Sequence, residues 1–290
     1  MSPSLKGTVI GFLVLSIFFF VIERWLGNAG GKRWVRRQWL LDAAYWVFTP
    51  FVTKVLTRLS LLVPLGLIVV FGMATKEGLA NQSYIGFGPL AQQPIWLQAI
   101  EILLLGDLIA YWTHRLFHGR LWWPFHAVHH SSEELDWLSS VRVHPVNDLV
   151  NKFAQVTPLL LLGFNPFATL ASAPFFTLYA IFIHADVNWD FGPLRKVIAT
   201  PVFHRWHHSK DAAAIDKNFA GLFPFWDMVF GTLYMPEGIA PRNFGISETM
   251  PSTLAGQLMH PFRSKSSNQG QSLANNPPLE GRTSSHESIV

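Results

Sequence analysis

Residues 107–131 read Asp-Leu-Ile-Ala-Tyr-Trp-Thr-His-Arg-Leu-Phe-His-Gly-Arg-Leu-Trp-Trp-Pro-Phe-His-Ala-Val-His-His-Ser. Five histidines, His114, His118, His126, His129 and His130, fall within seventeen residues and follow directly on an apolar run. A second patch, His204-Arg-Trp-His207-His208-Ser209, lies further along the chain. Eight of the twelve histidines sit in these two patches, and the chain has no cysteine. His114 and His118 are one helical turn apart, on a face that runs back through Tyr111 and Asp107. His126, His129 and His130 are three and four apart, so a second helix presents three imidazoles, and His204, His207 and His208 repeat the arrangement. Asp107 is placed as an acceptor behind a ligand histidine.

Working outward, the composition points to a membrane protein. Half of the 290 residues are hydrophobic and 14% are charged, where a soluble domain carries nearer a quarter charged. Mean hydropathy is +0.25. The absence of cysteine excludes disulfides, thiolate metal sites and cysteine nucleophiles. A net charge of +4 reads as basic membrane flanks, and neither a nucleic-acid motif nor a Gly-rich phosphate loop is present.

Residues 7–22 carry no charge and read as a membrane anchor rather than a cleaved signal. Arg24, Lys32, Arg33, Arg36 and Arg37 mark the following loop as cytoplasmic, which puts the N-terminus outside. The apolar stretch 39–73, with Pro50 and Pro64, is too long for a simple span. It is either one long kinked helix or an interfacial helix followed by a span. Residues 74–95 form the opposite loop, and 96–113 return to the cytoplasmic side carrying Glu101 and Asp107. Residues 149–183, broken by Pro158, Gly163, Pro166 and Pro174, form a hairpin that dips in and comes back, bringing the second histidine patch beside the first. Residues 187–240 read as a membrane-adjacent cytoplasmic segment.

Eight imidazoles exceed what one ion takes, since structural zinc uses four ligands and catalytic zinc three. They are enough for two ions with open positions. Imidazole suits Fe, Zn, Cu and Ni. No carboxylate sits inside the clusters, and no His-Glu-x-x-His occurs, which disfavours a zinc-dependent membrane hydrolase. A histidine-rich metal transporter or sensor would place ligands at mid-membrane along a path; here they gather at span ends.

His114-x3-His118, His126-x2-His129-His130 and His204-x2-His207-His208 resemble the three histidine boxes of the fatty acid hydroxylase/sterol desaturase superfamily. The resemblance spans roughly residues 100–235. It includes Arg142-Val-His144-Pro145, His184-Ala-Asp, Thr200-Pro201, Asn218-Phe219 and Trp226-Asp227-Met-Val-Phe230-Gly231-Thr232. It implies a non-haem di-iron oxygenase that uses O2 to hydroxylate or desaturate a lipid, with two Fe ions and hydroxylation slightly preferred. His184 resembles an extra ligand preceding the last box. Some members have His-x3-His there, whereas this chain has His184-x3-Asn188. His144, before Pro145, is a ligand or a group that orients one. Asp107, Asn188 and Asp227 are the polar groups expected behind the ligands, although a Trp226-Asp227 pair also serves packing and capping. His260 and His286 are expected outside the site.

The expected fold is an all-α integral membrane, multi-pass helical bundle with a cytoplasmic helical cap carrying the di-metal site. Its parts are anchor helices and loop at 1–95, a catalytic domain at 96–240, an extension at 241–262 and a disordered tail at 263–290. The membrane core and tail occupy the chain, so electrons are expected from a separate ferredoxin-, cytochrome b5- or reductase-like donor.

Overall fold

A computed structural model describes residues 5–27, 36–80 and 84–263. Lys32, Arg33, His286 and the tail beyond Arg263 lie outside the described residues. Among the described residues, regular structure is helical: α1 (Leu5–Leu26), α2 (Trp39–Val70), α3 (Ile95–Phe117), α4 (Trp123–His130), α5 (Pro145–Leu161), α6 (Pro166–His184), α7 (Pro201–His207), α8 (Phe225–Val229) and α9 (Leu254–Arg263). Two short helices, Lys76–Ala80 and Gly88–Gln92, occupy the expected loop between α2 and α3. Two isolated bridges, Gly27 with Val187 and Ser209 with Phe244, are the β pairings in the described residues.

α1, α2, α3 and α6 are long and apolar enough to cross a membrane. Their outward faces carry exposed Leu13, Ile17, Val55, Leu62, Ile100 and Leu178, an apolar surface that a water-soluble molecule would bury. The stretch 39–73 resolves into one continuous helix containing Pro50 and Pro64. At 1.5 Å per residue α2 is about 48 Å long, longer than the roughly 30 Å hydrocarbon layer of a bilayer.

The expected hairpin is α5 and α6, but its limbs differ in character. α6 is apolar enough to span, whereas α5 carries Asn147, Asp148, Asn151, Lys152 and Gln155. Those polar groups face protein. Thr53 Oγ1 donates to Asp148 at 2.6 Å, and Lys152 pairs with the same carboxylate at 3.1 Å. The turn between the limbs needs glycine. Gly163 has φ +98°, and a Cβ there would lie 2.3 Å from the Phe87 carbonyl oxygen; the backbone is this close because Phe87 N donates to Gly163 O at 3.1 Å. α6 then starts on an Asn165 cap, whose Oδ1 accepts from Phe167 N at 2.8 Å, with Pro166 in the first turn.

The end of α1, the start of α2 and the ends of α3 and α6 meet at one end of the bundle. Aromatic packing joins them: Phe19 of α1 stacks on Trp137 at 5.4 Å, and Trp46 of α2 meets the same indole at 5.3 Å. α1 is thus docked to the segment that follows the second histidine box.

Candidate metal centre

The last turn of α3 carries His114, and His118 caps its end. Gly119 turns the chain, and α4 presents His126, His129 and His130. α6 ends on His184. α7 starts on a Thr200 cap, whose Oγ1 accepts from Phe203 N at 3.1 Å, and presents His204 and His207, with His208 at its end. These nine histidines form two groups whose ligand atoms lie within 4.8 Å of one another: His114, His118, His126, His130 and His207, and His129, His184, His204 and His208.

The boxes are therefore shared out rather than kept whole. On a helix, positions i and i+4 point most nearly the same way. His126 and His130 go to the five-histidine group and His129 to the other; His204 and His208 go to the four-histidine group and His207 to the first. The groups adjoin, with the rings of His130 and His208 stacked at 4.3 Å.

Within the first group, Nε2 of His126 lies 3.1 Å from Nε2 of His114 and of His130, and His130 Nε2 lies 3.1 Å from that of His207. In the second, His184 Nε2 lies 3.3 Å from His129 Nε2 and 3.2 Å from His204 Nε2, and His204 Nε2 lies 3.1 Å from that of His208. The opposite ring nitrogens explain these contacts. Nδ1 of His114 donates to Phe219 O at 2.8 Å, that of His207 to Lys217 O at 2.8 Å, that of His129 to Arg142 O at 3.2 Å and that of His184 to Ala180 O at 2.6 Å. His126 Nδ1 meets Asn147 Oδ1 at 2.8 Å, and His118 Nδ1 meets Asp216 Oδ1 at 3.0 Å. A carbonyl or carboxylate oxygen only accepts, so the proton sits on Nδ1 and the Nε2 lone pair points inward.

Facing lone pairs repel unless a cation lies between them. Ligands bonded at about 2.1 Å stand about 3.0 Å apart across a right angle and about 3.4 Å apart across a tetrahedral one, and the observed separations fall in that range. His118 Nε2 is buried without a hydrogen-bond partner, as a ligand atom would be. Burial, reinforced by neighbouring imidazoles, holds His126, His129, His130, His204, His207 and His208 well below the ordinary histidine range. They are neutral at pH 7, the form a metal requires. The residues fit a pair of imidazole-bound ions.

Four expected positions are corrected. His144 stands in neither group: its Nδ1 accepts from Val146 N at 3.1 Å, capping α5, and its Nε2 meets Leu258 O of α9 at 3.1 Å. Asp107 does not touch an imidazole. It accepts from the backbone N–H of Gly221, Leu222 and Phe223 at 3.0, 2.8 and 2.8 Å. Asn188 is exposed. Asp227 holds the same loop as Asp107, accepting from Phe219 N at 2.8 Å, Ala220 N at 2.9 Å and Thr232 Oγ1 at 2.6 Å. Two buried carboxylates thus fix the segment whose Phe219 carbonyl orients His114. His260 lies outside both groups, beside Glu248 at 3.7 Å.

The acceptors Asn147, Asp216, Lys217 and Phe219 were missed by sequence reasoning. A signal exists for the loop. Asp216 and Asn218 both have positive φ, a conformation that Asp and Asn tolerate better than most. Asn218 bridges Phe203 O at 2.9 Å and Tyr234 O at 2.8 Å through its amide.

Comparison with known proteins agrees with this geometry. The chain is 31% identical over 175 residues to an ornithine lipid hydroxylase of Rhizobium tropici, covering 60% of this chain and 53% of that protein. It is 37% identical over 143 residues to the alkylglycerol monooxygenase of Danio rerio, covering 49% and 30%. It is 26% identical over 172 residues to a very-long-chain aldehyde decarbonylase of Arabidopsis thaliana, covering 52% and 27%. The chain thus spans about half or less of the length of these relatives. No solved structure matches it. Residues 99–232 match the fatty acid hydroxylase family, a segment that encloses all nine clustered histidines.

Proposed function

We propose that the chain is a multi-pass membrane oxygenase that inserts oxygen into a lipid C–H bond. The observation that carries the reading is the pair of adjoining all-imidazole groups at one end of a bundle of apolar helices. His114, His118, His126, His130 and His207 would hold one iron ion, and His129, His184, His204 and His208 the other. Iron bound there supplies the O2 chemistry that an unactivated C–H bond requires. The balance for hydroxylation is RH + O2 + two electrons + two protons giving ROH + H2O, with the electrons from a separate protein donor. Two relatives are named as a hydroxylase and a monooxygenase, which favours hydroxylation over desaturation.

The chain's own part is positioning and exclusion of water. Nδ1 acceptors fix six of the nine rings before any ion arrives, and His126, His130, His184, His204, His207 and His208 are all buried. Arg24, Arg36 and Arg37 flank the same end of the bundle, which supports a cytoplasmic site. Apolar helices lead away from it, so a lipid reaches the ions from the bilayer with its polar end near the interface.

The test is a metal count on purified protein, combined with mass spectrometry of lipids from expressing and empty cells. Two irons per chain and a lipid heavier by one oxygen are expected. One zinc per chain with an unaltered lipid profile, in cells that supply a competent electron donor, would sink the reading.

A further inference from the structure

We propose that a lattice of ion pairs, built on Asp42–Arg142 and Asp186–Arg205, positions the four-histidine group and sets its hold on metal more strongly than that of the five-histidine group. This rests on the two-ion reading above. Asp42 and Arg142 are both fully buried, with Arg142 Nε donating to Asp42 Oδ1 at 2.6 Å. Arg142 NH1 also donates to Gln38 Oε1 and Ser131 Oγ, each at 3.1 Å. Arg36 bridges the other oxygen of Asp42 to Asp136, whose Oδ2 lies 2.6 Å from Arg36 Nε. Arg205 pairs with Asp186 at 2.8 Å and donates to Leu135 O at 2.7 Å. Asp186 N in turn donates to Glu23 Oε1 of α1 at 2.9 Å.

Three members of the four-histidine group are fastened to this lattice. His129 donates to the carbonyl of Arg142 itself. His184 is two residues before Asp186, and His204 is the residue before Arg205. The rings of His204 and His208 need such fastening, because their Nδ1 atoms are buried without a hydrogen-bond partner. The five-histidine group also adjoins the lattice, at His130 beside Ser131 and at His207 two residues after Arg205, but four of its five rings have partners outside it: Phe219 O, Lys217 O, Asp216 and Asn147. Losing the partner that orients a metal-bound histidine typically weakens metal binding about 10–100-fold. Loosening the lattice therefore lowers affinity far more in the four-histidine group, where two rings have no Nδ1 partner, than in the other.

The experiment loads the purified wild-type chain, D42N, D186N and D186E anaerobically with Fe(II), then measures iron per chain and the two binding affinities. Wild type is expected to hold two ions. D42N and D186N are expected to keep one tight ion and bind the other about 10–100-fold more weakly. D186E, which restores the carboxylate at a partly exposed position, regains much of the lost affinity. Unchanged affinity for both ions in D186N, or equal loss of both, overturns the inference. Fewer than two ions in wild type overturns the two-ion reading instead, and this inference with it. The Asp186 side chain is 22% exposed, so D186N decides alone should D42N fail to fold.

Discussion

Asp107 offers the sharpest quantitative handle, because all its work is done on three backbone amides. Oδ1 accepts from Gly221 and Leu222, and Oδ2 accepts from Phe223. Asp107→Asn keeps the shape but turns one acceptor into a donor. The better orientation leaves the oxygen toward Gly221 and Leu222 and sets an NH2 against the Phe223 N–H. One buried donor is then unsatisfied, at about 1–3 kcal/mol, and the two surviving bonds lose their charge assistance. A net loss of about 2–3 kcal/mol follows for the 219–223 segment. At 1.36 kcal/mol per factor of ten, local opening becomes about 30–150-fold more frequent.

Amide hydrogen exchange in detergent or nanodiscs reads this directly, since exchange at Gly221, Leu222 and Phe223 tracks the free energy of local opening. Phe219 is pinned by Asp227 rather than by Asp107, so Asp107→Asn should loosen the loop without releasing it. Iron binding by the five-histidine group should weaken, since the Phe219 carbonyl orients His114, and binding by the other group should hold. Unchanged exchange across 219–223 would refute the reasoning, because it would mean that the three N–H groups do not depend on this carboxylate.

Other changes test separate parts of the molecule. His129→Ala removes a member of the four-histidine group and is expected to abolish turnover while the helical far-ultraviolet circular dichroism is retained; unchanged turnover would take the second box out of the site. Gly163→Ala sets a Cβ against the Phe87 carbonyl at positive φ, and a strained backbone of this kind costs about 1–3 kcal/mol, so the thermal transition should fall by several degrees while iron stoichiometry is kept. Burial holds the His144 imidazole below its ordinary range, partly opposed by its hydrogen bond to Leu258 O. Below about pH 6.5 the unfolded chain takes up a proton that the folded imidazole resists, so the stability tied to His144 is present at neutral pH and declines on acidification. Exchange at residues 254–263, corrected for its intrinsic pH dependence, should rise below that pH in wild type and much less in His144→Asn, which retains a capping side chain.

Much of the fold was legible because a membrane leaves few choices for an apolar run. The uncharged residues 7–22 and the run before His114 could only be helices of spanning length. The 149–183 region carried its turn in Gly163-Phe-Asn-Pro, where glycine, a capping asparagine and a proline follow one another. What was not legible was the different character of the two limbs. The polar residues of α5 look expensive within a nominal membrane hairpin until α2 and α3 are placed against them. Asp148 is satisfied by Thr53 and Lys152, and Gln155 reaches the Gly106 carbonyl at 3.4 Å. Lys152 is readable at helical spacing, but Thr53 and Gly106 lie 95 and 49 residues from their partners, and spacing along one helix does not reveal them.

The site divides along the same physical line. Helical spacing exposes which histidines share a face, so the ligand candidates are readable from His-x3-His and His-x2-His-His. It does not say which of the two histidine groups each residue joins, because α4 and α7 come together with their histidines interleaved. Nor does it show what orients the rings, since four of the six Nδ1 acceptors are backbone carbonyls, which any residue type can supply. Asp107 illustrates the consequence. Its spacing to His114 suggested a direct contact, and the same spacing instead aims it at the loop after Lys217. There it works with Asp227 on the segment that carries the Phe219 carbonyl. A carboxylate can therefore govern an imidazole without touching it, and substitutions at Asp107 and His114 should weaken the same ion by different routes. A double-mutant cycle on iron affinity should show the two effects to be less than additive; full additivity would place Asp107 outside the path that orients His114.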